Sequence, residues 1–216
     1  MQPSSNESRR AAMVEEQIAA RGVHDERVLE AMRTVPREAF LPAEQAACAF
    51  EDRALSVGMG QTISQPYVVA IMTECLRVEP SNRVLEIGTG TGYQAALLAR
   101  LAAGVFTVER LAALSAAARE RLTRLGYANV RFRVGDGTLG WTEEAPFDRI
   151  IVTAAAPRVG PALLAQLAEG GRLVLPVGES GAQRLTTIEK LGGRLVERPS
   201  IAVRFVPLIG QEGFAE

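Results

Sequence analysis

"VLEIGTGTGYQ" (residues 84–94) joins a short apolar run to a glycine-rich turn and then to a helix-forming segment. An apolar run bounded in this way reads as a buried strand. Glycine is needed where the backbone turns sharply and a ligand must approach the main chain closely. Gly88, Gly90 and Gly92 therefore mark a βα turn suited to a nucleotide. Their spacing is G-x-G-x-G, not the G-x-G-x-x-G of dinucleotide binders, and Tyr93 stands where the third small residue would pack. A plain βα turn is the competing reading, and the segments around the loop weigh against it.

Downstream the chain alternates. "YQAALLARLAA" (93–103) reads as helix, "VFTV" (105–108) as strand, and residues 111–125 as a long alanine- and leucine-rich helix. "VRFRV" (130–134) and "FDRIIVT" (147–153) read as strands, "PALLAQLAE" (161–169) as helix and "GRLVLPV" (171–177) as strand. Such alternation predicts parallel βαβ units in a doubly wound sheet. After Gly181, "RLTTIEKL", "GRLVERPSIAV" and "RFVPL" read as strands with little helix between them, an antiparallel edge of the same sheet.

Residues 1–80 have a different texture, with helical patterns and irregular links. One helix starts after Ser4, Ser5 or Asn6, each a possible cap, and stops at Gly22. A second places Val28, Leu29 and Met32 on one face and ends before Pro36; Pro42 prevents a single long helix across 37–55. A third begins at Pro66, with Val68, Ile71, Met72, Cys75 and Leu76 as its apolar stripe. "GMGQTISQPY" (58–67) reads as a loop that delivers its hydroxyls to that helix, with Ser64 or Gln65 at the cap. The expected organisation is one structural domain: a helical, substrate-side region over 1–80 packed on an α/β core over 81–216.

The composition excludes several classes. Lysine and arginine number 24 against 25 acids, a net charge of −1 that gives no general attraction to nucleic acid or anionic membrane. No stretch approaches the roughly 18 apolar residues of a membrane span, and the start "MQPSSNESRR" lacks the apolar core of a secretory signal. Cys48 and Cys75 make no disulfide framework and read as small buried hydrophobes, which points to a cytoplasmic protein. One histidine, His24, and no Cys/His cluster argue against zinc. His24 lies far from the loop in sequence and reads as a surface or packing residue.

Three acids accompany the glycine loop. Glu109 ends the next strand roughly 20 residues on, where a carboxylate takes a ribose's hydroxyls. Glu86 lies two residues before the first glycine. A negative charge there repels a pyrophosphate but suits an ammonium or sulfonium, which favours S-adenosyl-L-methionine over NAD. A structural acceptor is the alternative for Glu86. Asp136, in "VGDGTLGW" (134–141), follows the next strand and is placed to accept from an adenine amine, with Gly137 allowing close approach. Trp141 either walls the pocket or packs in the core.

The acceptor is constrained by what the chain lacks. "VTAAAP" (152–157) offers no side chain to hold an amine at the end of the fourth strand, and no general base is evident near the loop. Alcohols and protonated amines must lose a proton to be methylated, whereas a carboxylate, with a pKa near 4, is already ionised. A hydroxyl and a helix N-terminus suit a carboxylate, and Ser64 with the amides after it supplies both. A simple helix cap is the other reading of Ser64.

These residues together resemble the protein-L-isoaspartate O-methyltransferase family. The resemblance is carried by "EDRALSVGMGQTISQPYVVAIMTE" (51–74), "VLEIGTGTGYQAALLA" (84–99), "VGDGTLGW", "APFDRIIVTAAAP" (145–157), "LAEGGRLVLPVG" (167–178) and "RFVPLIG" (204–210), in family order. "TISQP" with "VTAAAP" and "FVPL" is the specific combination; the glycine loop by itself marks only the wider methyltransferase superfamily. The resemblance implies a Rossmann-like class I methyltransferase sheet with an N-terminal helical extension. It also implies methyl transfer from S-adenosyl-L-methionine to the α-carboxylate of L-isoaspartyl residues, leaving S-adenosyl-L-homocysteine. The ester closes to a succinimide without the enzyme and partly reopens as normal aspartate. Isoaspartyl peptides and unfolded or aged proteins are then the partners, and the enzyme is expected as a monomer. By position, Ser64 is the active-site serine, and Gln61, Thr62 and Ile63 line the cofactor side. Gly88, Thr89, Gly90 and Gly92 form the methionine loop, Glu109 takes the ribose, and Asp136 and Gly137 meet the adenine. Val206 and Ile209 close over substrate and cofactor. Many members carry histidine where Met59 stands, so the entry to the hydroxyl loop is expected to differ in shape. Two other readings share the cofactor residues: a methyltransferase for small-molecule carboxylates or hydroxyls, and a binding module without catalysis.

Overall fold

The computed structural model describes residues 5–179 and 181–215. Its centre is a seven-stranded sheet in the order β5-β4-β3-β6-β7-β8-β9. The strands are β3 (Arg83–Ile87), β4 (Gly104–Glu109), β5 (Val130–Val134), β6 (Phe147–Val152), β7 (Leu167–Glu179), β8 (Ala182–Leu191) and β9 (Arg194–Val203). The first five run parallel, while β8 and β9 are antiparallel to their neighbours. This is the doubly wound sheet with an antiparallel edge that the alternation predicts. Helices α4 (Tyr93–Leu101), α5 (Ala112–Arg124) and α6 (Pro161–Gln166) make the crossovers.

Both faces of the sheet are buried, and the period of two along each strand divides the side chains between two cores. Val84, Val105, Ile151 and Val174 join one core with the N-terminal helices and α4. Leu85, Phe106, Ile150 and Leu173 join the other, with Leu163 of α6. That N-terminal layer consists of α1 (Ser5–Met13), α2 (Glu26–Thr34) and α3 (Pro66–Leu76) with shorter turns between them. Asp25 caps α2 by accepting from the Arg27 amide. Met13, Val28, Leu29 and Met32 are almost fully buried, so the layer is part of the main core.

Several local expectations change. The first helix does reach Gly22, but as α-helix, then a π turn, then a 3₁₀ turn; of its proposed caps, Ser4 lies outside the described residues and Ser5 and Asn6 are already in the helix. Helix α6 stops at Gln166, not Glu169, because Leu167 already pairs with Phe147 in β7 and is buried there. "RFVPL" is not a strand. Pro207 has no N–H to give a ladder, and the segment instead clasps the turn after β6, with Ala155 N donating to Val206 O at 2.8 Å and Leu208 N to Ala155 O at 2.7 Å. Cys48 and Cys75 are half-buried and unpaired.

The stretch read as a loop is more ordered than expected. β1 (Leu55–Gly58) and β2 (Gln61–Ile63) form a hairpin that ends at Ser64, and Pro66 opens α3. Gln65 is the N-cap and its side chain makes no capping bond, so neither Ser64 nor Gln65 caps through its side chain. Met59 and Gly60 form the turn, both left-handed, with φ of 52° and 69°. Gly58 before them is also at positive φ (87°) and pairs with Gln61, so Met59 and Gly60 are the two central residues of a turn that matches type I′, in which Asn-Gly is favoured. Met59 is 63% exposed and strained in that region. Met59→Asn should stabilise the protein by about 0.5–1 kcal/mol. A denaturant midpoint that stays or falls would show that the hairpin bears no strain there.

Candidate active site

The strand order reverses between β3 and β6, and the crevice at their carboxyl ends is where open α/β sheets bind ligands. A cavity of about 850 Å³ lies there, a size that accommodates a nucleotide-sized molecule. One wall is the glycine loop with Gly88, Thr89 and Gly90. Gln61, Thr62, Ile63 and Ser64 form a second, and Val206 and Ile209 a third; Glu109 and Gly137 complete the lining. Eleven of the residues expected at the site thus share one cavity, although they come from segments far apart in the chain. Glu86, Gly92 and Asp136 do not line it.

The glycine loop is held from two sides. Gly88 adopts φ 95°, and a Cβ there would sit 2.4 Å from Thr153 Oγ1. That hydroxyl donates to Gly88 O at 2.7 Å, so the end of β6 clamps the start of the loop. On the other side, Gly90 N donates to Glu109 Oε2 at 2.9 Å and Leu111 N to Oε1 at 3.0 Å. Glu109 is 7% exposed, yet it lies on the cavity wall. Each carboxylate oxygen retains acceptor capacity, which fits a pair of neighbouring hydroxyls. Gly92 has a packing role: it turns into α4 with φ 88°, and a Cβ there would meet Leu122 at 3.1 Å.

Glu86 and Asp136 are set back, for different reasons. Glu86 faces Thr107 across the β3–β4 register, on the side covered by the N-terminal helices. It has no exposed surface. Thr107 Oγ1 donates to Glu86 Oε2 at 2.5 Å and lies 2.6 Å from Thr89 Oγ1, while Oε1 has no partner among the described residues. Burial, opposed by the Thr107 bond and assisted by the charge of Glu109, raises its pKa to about 8. In the protein without ligand this carboxyl is therefore neutral at pH 7, not the negative charge expected from its position in sequence. Asp136 Oδ1 accepts from the amide and hydroxyl of Thr138, and Oδ2 from Gln211 N at 2.8 Å. It anchors the C-terminal segment beside the cavity. Trp141 packs edge-on against Phe106, 5.9 Å between ring centres, and lies off the cavity wall.

The acceptor side is poor in proton acceptors. Two carboxylates reach the wall: Asp52 is paired with Arg21 at 2.7 Å, and Glu109 holds its two amides. His24 is exposed and does not line the cavity. Ser64 does line it, and its hydroxyl makes no hydrogen bond among the described residues. Its carbonyl accepts from Arg37 Nη2 at 2.7 Å. No group of three or more His, Cys, Asp or Glu that could hold a metal occurs among the described residues. The sequence reading missed Gln94, Thr153 and Phe205, which also line the cavity. Gln94 and Thr153 are the last residues of the quoted stretches "VLEIGTGTGYQ" and "FDRIIVT", so their nearness to the loop and to β6 was the available signal.

The family model described as protein-L-isoaspartate(D-aspartate) O-methyltransferase matches residues 8–213. A protein-L-isoaspartate O-methyltransferase of Methanoculleus marisnigri is 55% identical over 205 residues, covering 95% of this chain and 93% of its own. One from Koribacter versatilis is 52% identical over 206 residues, with the same two coverages. A solved structure of a protein-L-isoaspartate O-methyltransferase superposes with a TM-score of 0.84 at 31% identity, over 96% of this chain and 67% of that one. Another, from Plasmodium falciparum in complex with S-adenosyl-L-homocysteine, gives 0.80 at 25% identity, over 93% and 98%.

The buried Glu86 makes stability depend on pH. Its folded pKa of about 8 exceeds the ordinary 4.5, so between those values the native state holds a proton that the unfolded chain has released. This term favours folding below about pH 4.5, and it is lost as pH rises through about 8. Glu86→Gln removes it. The melting temperature of the variant relative to the parent should rise steadily from about pH 5 to about pH 8 and level off above. A difference that is flat across this range would mean that Glu86 ionises normally.

Proposed function

The chain belongs to the protein-L-isoaspartate(D-aspartate) O-methyltransferase family, and we infer from that premise that it is a protein repair enzyme. It transfers a methyl group from S-adenosyl-L-methionine to the α-carboxylate of L-isoaspartyl residues in damaged proteins and peptides. The ester then collapses to a succinimide that partly returns to L-aspartate. One observation carries the reading: an unpaired hydroxyl at a helix N-terminus faces the glycine loop across a single cavity whose carboxylates are both already engaged.

The residues present fit the cofactor. Gly88 leaves the main chain bare where a side chain would strike Thr153, and Glu109 offers acceptors on the wall. When bound, S-adenosyl-L-methionine supplies a methyl group made electrophilic by its sulfonium. The remaining tasks fall to the protein and are tasks of binding. Glu109 is assigned to the ribose hydroxyls. Gly88, Thr89 and Gly90 are assigned to the methionine end, with Gly92 setting the turn and Glu86 supporting it from below through Thr107 and Thr89. Gln61, Thr62 and Ile63 are assigned to the cofactor side of the hydroxyl loop. Gly137 is assigned to the adenine, with Asp136 beside it, since a carboxylate that accepts three bonds can still take another.

Ser64 is assigned to the acceptor carboxylate, which arrives ionised and needs no base. Its hydroxyl donates, and the first amides of α3 add the partial positive charge of a helix N-terminus. Val206 and Ile209 cover the bound groups and exclude water, which strengthens both interactions. Partners are isoaspartyl peptides and unfolded or aged proteins. We place the enzyme in the cytoplasm as a monomer without nucleic-acid or membrane association, a reading supported by the net charge of −1 and the two free cysteines. No described helix is long and apolar enough to cross a membrane. We further propose that residues 1–80 form the substrate side of a single domain completed by 81–216.

The direct test compares an isoaspartyl peptide with its aspartyl twin. Label should enter the first selectively and leave under mild base; equal labelling points to a general carboxyl methyltransferase, and base-stable label excludes an ester. Ser64→Ala should lower turnover and leave the affinity for S-adenosyl-L-homocysteine nearly intact. Glu109→Ala should weaken that affinity on the order of 10- to 100-fold, because charge-assisted bonds contribute about 1.5–3 kcal/mol. Unchanged binding by calorimetry would remove Glu109 from the ribose role.

A further inference from the structure

Behind the acceptor loop lies a guanidinium with no acidic partner among the described residues. Arg37 opens the 3₁₀ turn Arg37–Phe40 and has no exposed surface. Its Nε donates to Ala49 O at 2.8 Å and its Nη2 to Ser64 O at 2.7 Å. Nη1 is buried and makes no hydrogen bond among the described residues. The guanidinium carbon lies 4.9 Å from the centre of the Tyr93 ring. Tyr93 is the first residue of α4, directly after Gly92, and its ring packs edge-on against Phe40 at 5.4 Å. One side chain therefore touches both the loop that carries Ser64 and the helix that follows the glycine loop.

Packing alone is a poor reason for this residue. Burying a cation without a counter-charge is costly, and an apolar side chain of similar volume would fill the space more cheaply. Burial draws its pKa down, with Tyr93 opposing, yet a guanidinium remains charged at any working pH. The charge and the two-pronged geometry both call for an explanation, and the neighbouring site supplies one.

We propose that Arg37 is a positioning residue for the methyl acceptor, which sets Ser64 relative to the glycine-loop helix and biases the pocket toward an anionic acceptor. This rests on the reading given under Proposed function. The two features act on different kinetic constants. In the transfer, a carboxylate oxygen forms a bond to the methyl carbon as the carbon–sulfur bond breaks, and its electron pair leaves a neutral thioether. Negative and positive charge thus disappear together. A fixed cation near the acceptor favours the bound anion over the less charged transition state, so the charge of Arg37 belongs in KM. Its fork of two carbonyl bonds fixes distance and angle, so the geometry belongs in kcat.

Two variants separate these effects, with thermal melts to establish that each is folded at the assay temperature. Arg37→Lys keeps the charge and loses the fork; kcat on an isoaspartyl peptide should fall on the order of 10-fold, with peptide KM within about threefold of the parent. Arg37→Met loses both, and its peptide KM should rise on the order of 10-fold above that of Arg37→Lys. Affinity for S-adenosyl-L-homocysteine should stay within about threefold in both, since among the described residues Arg37 makes no hydrogen bond to the glycine loop and its only contact on that side is with the Tyr93 ring beyond Gly92. Should Arg37→Met fail to fold, the fall in kcat of Arg37→Lys decides by itself. Parent-like peptide kinetics in folded variants would overturn the inference, as would equal losses in peptide and product-cofactor binding, the mark of general loosening. Parent activity on the isoaspartyl peptide is the control. If the parent is inactive, the functional reading falls; if it is active and the variants match it, only the role of Arg37 does.

Discussion

Glu109 accepting the amides of Gly90 and Leu111 is the contact on which the site depends. It joins the end of one parallel strand to the turn after its neighbour, so the glycine loop cannot be remodelled without disturbing β4. The same carboxylate reaches the cavity wall. An anion that organises backbone amides while keeping lone pairs for a ligand provides a rigid acceptor at little further cost in ordering. Thr153 completes the hold from β6, and the loop is thereby fixed by both of its strand neighbours.

Charge is arranged differently on the two sides of the cavity. Beside the glycine loop the protein presents the Glu109 carboxylate on the cavity wall and keeps Glu86, whose pKa burial raises to about 8, beneath the loop. On the acceptor side it presents a hydroxyl and a helix N-terminus, with a buried guanidinium behind them. On the proposed function, a pocket so divided pairs a cationic donor with an anionic acceptor and needs no group to move a proton between them. Catalysis on that reading consists of alignment and water exclusion, a task for which a stretch as chemically plain as "GMGQTISQPY" suffices.

The N-terminal layer packs into the main core and borders the cavity. Its apolar residues belong to the same core as the inner face of the sheet. Through Arg37 and Phe40 it meets Tyr93, the residue in place of the small one that a dinucleotide fold would use. An aromatic at that position needs a covering layer, and that layer brings the loop carrying Ser64 to the cavity at the carboxyl edge of the sheet.

Much of this was legible in the residues. Local periodicity determines each strand and helix, because a face that must be buried repeats every two residues or every 3.6. Glycine at 88 and 92 and the acid at 109 are likewise dictated locally, by backbone conformation and by the end of a strand. Boundaries were less secure: Leu167 continues a helical pattern, but its neighbour in space, Phe147, draws it into a strand. Only the tertiary structure decided which side chains meet. Glu86 and Asp136 both read as acids beside the ligand, yet one faces a dry core and the other the C-terminal segment, so their charges and partners differ. Nothing in the sequence around Arg37 singles it out. Its burial against Ser64 and Tyr93 arises from contacts 27 and 56 residues away along the chain (64 − 37 and 93 − 37), and no local pattern carries that information.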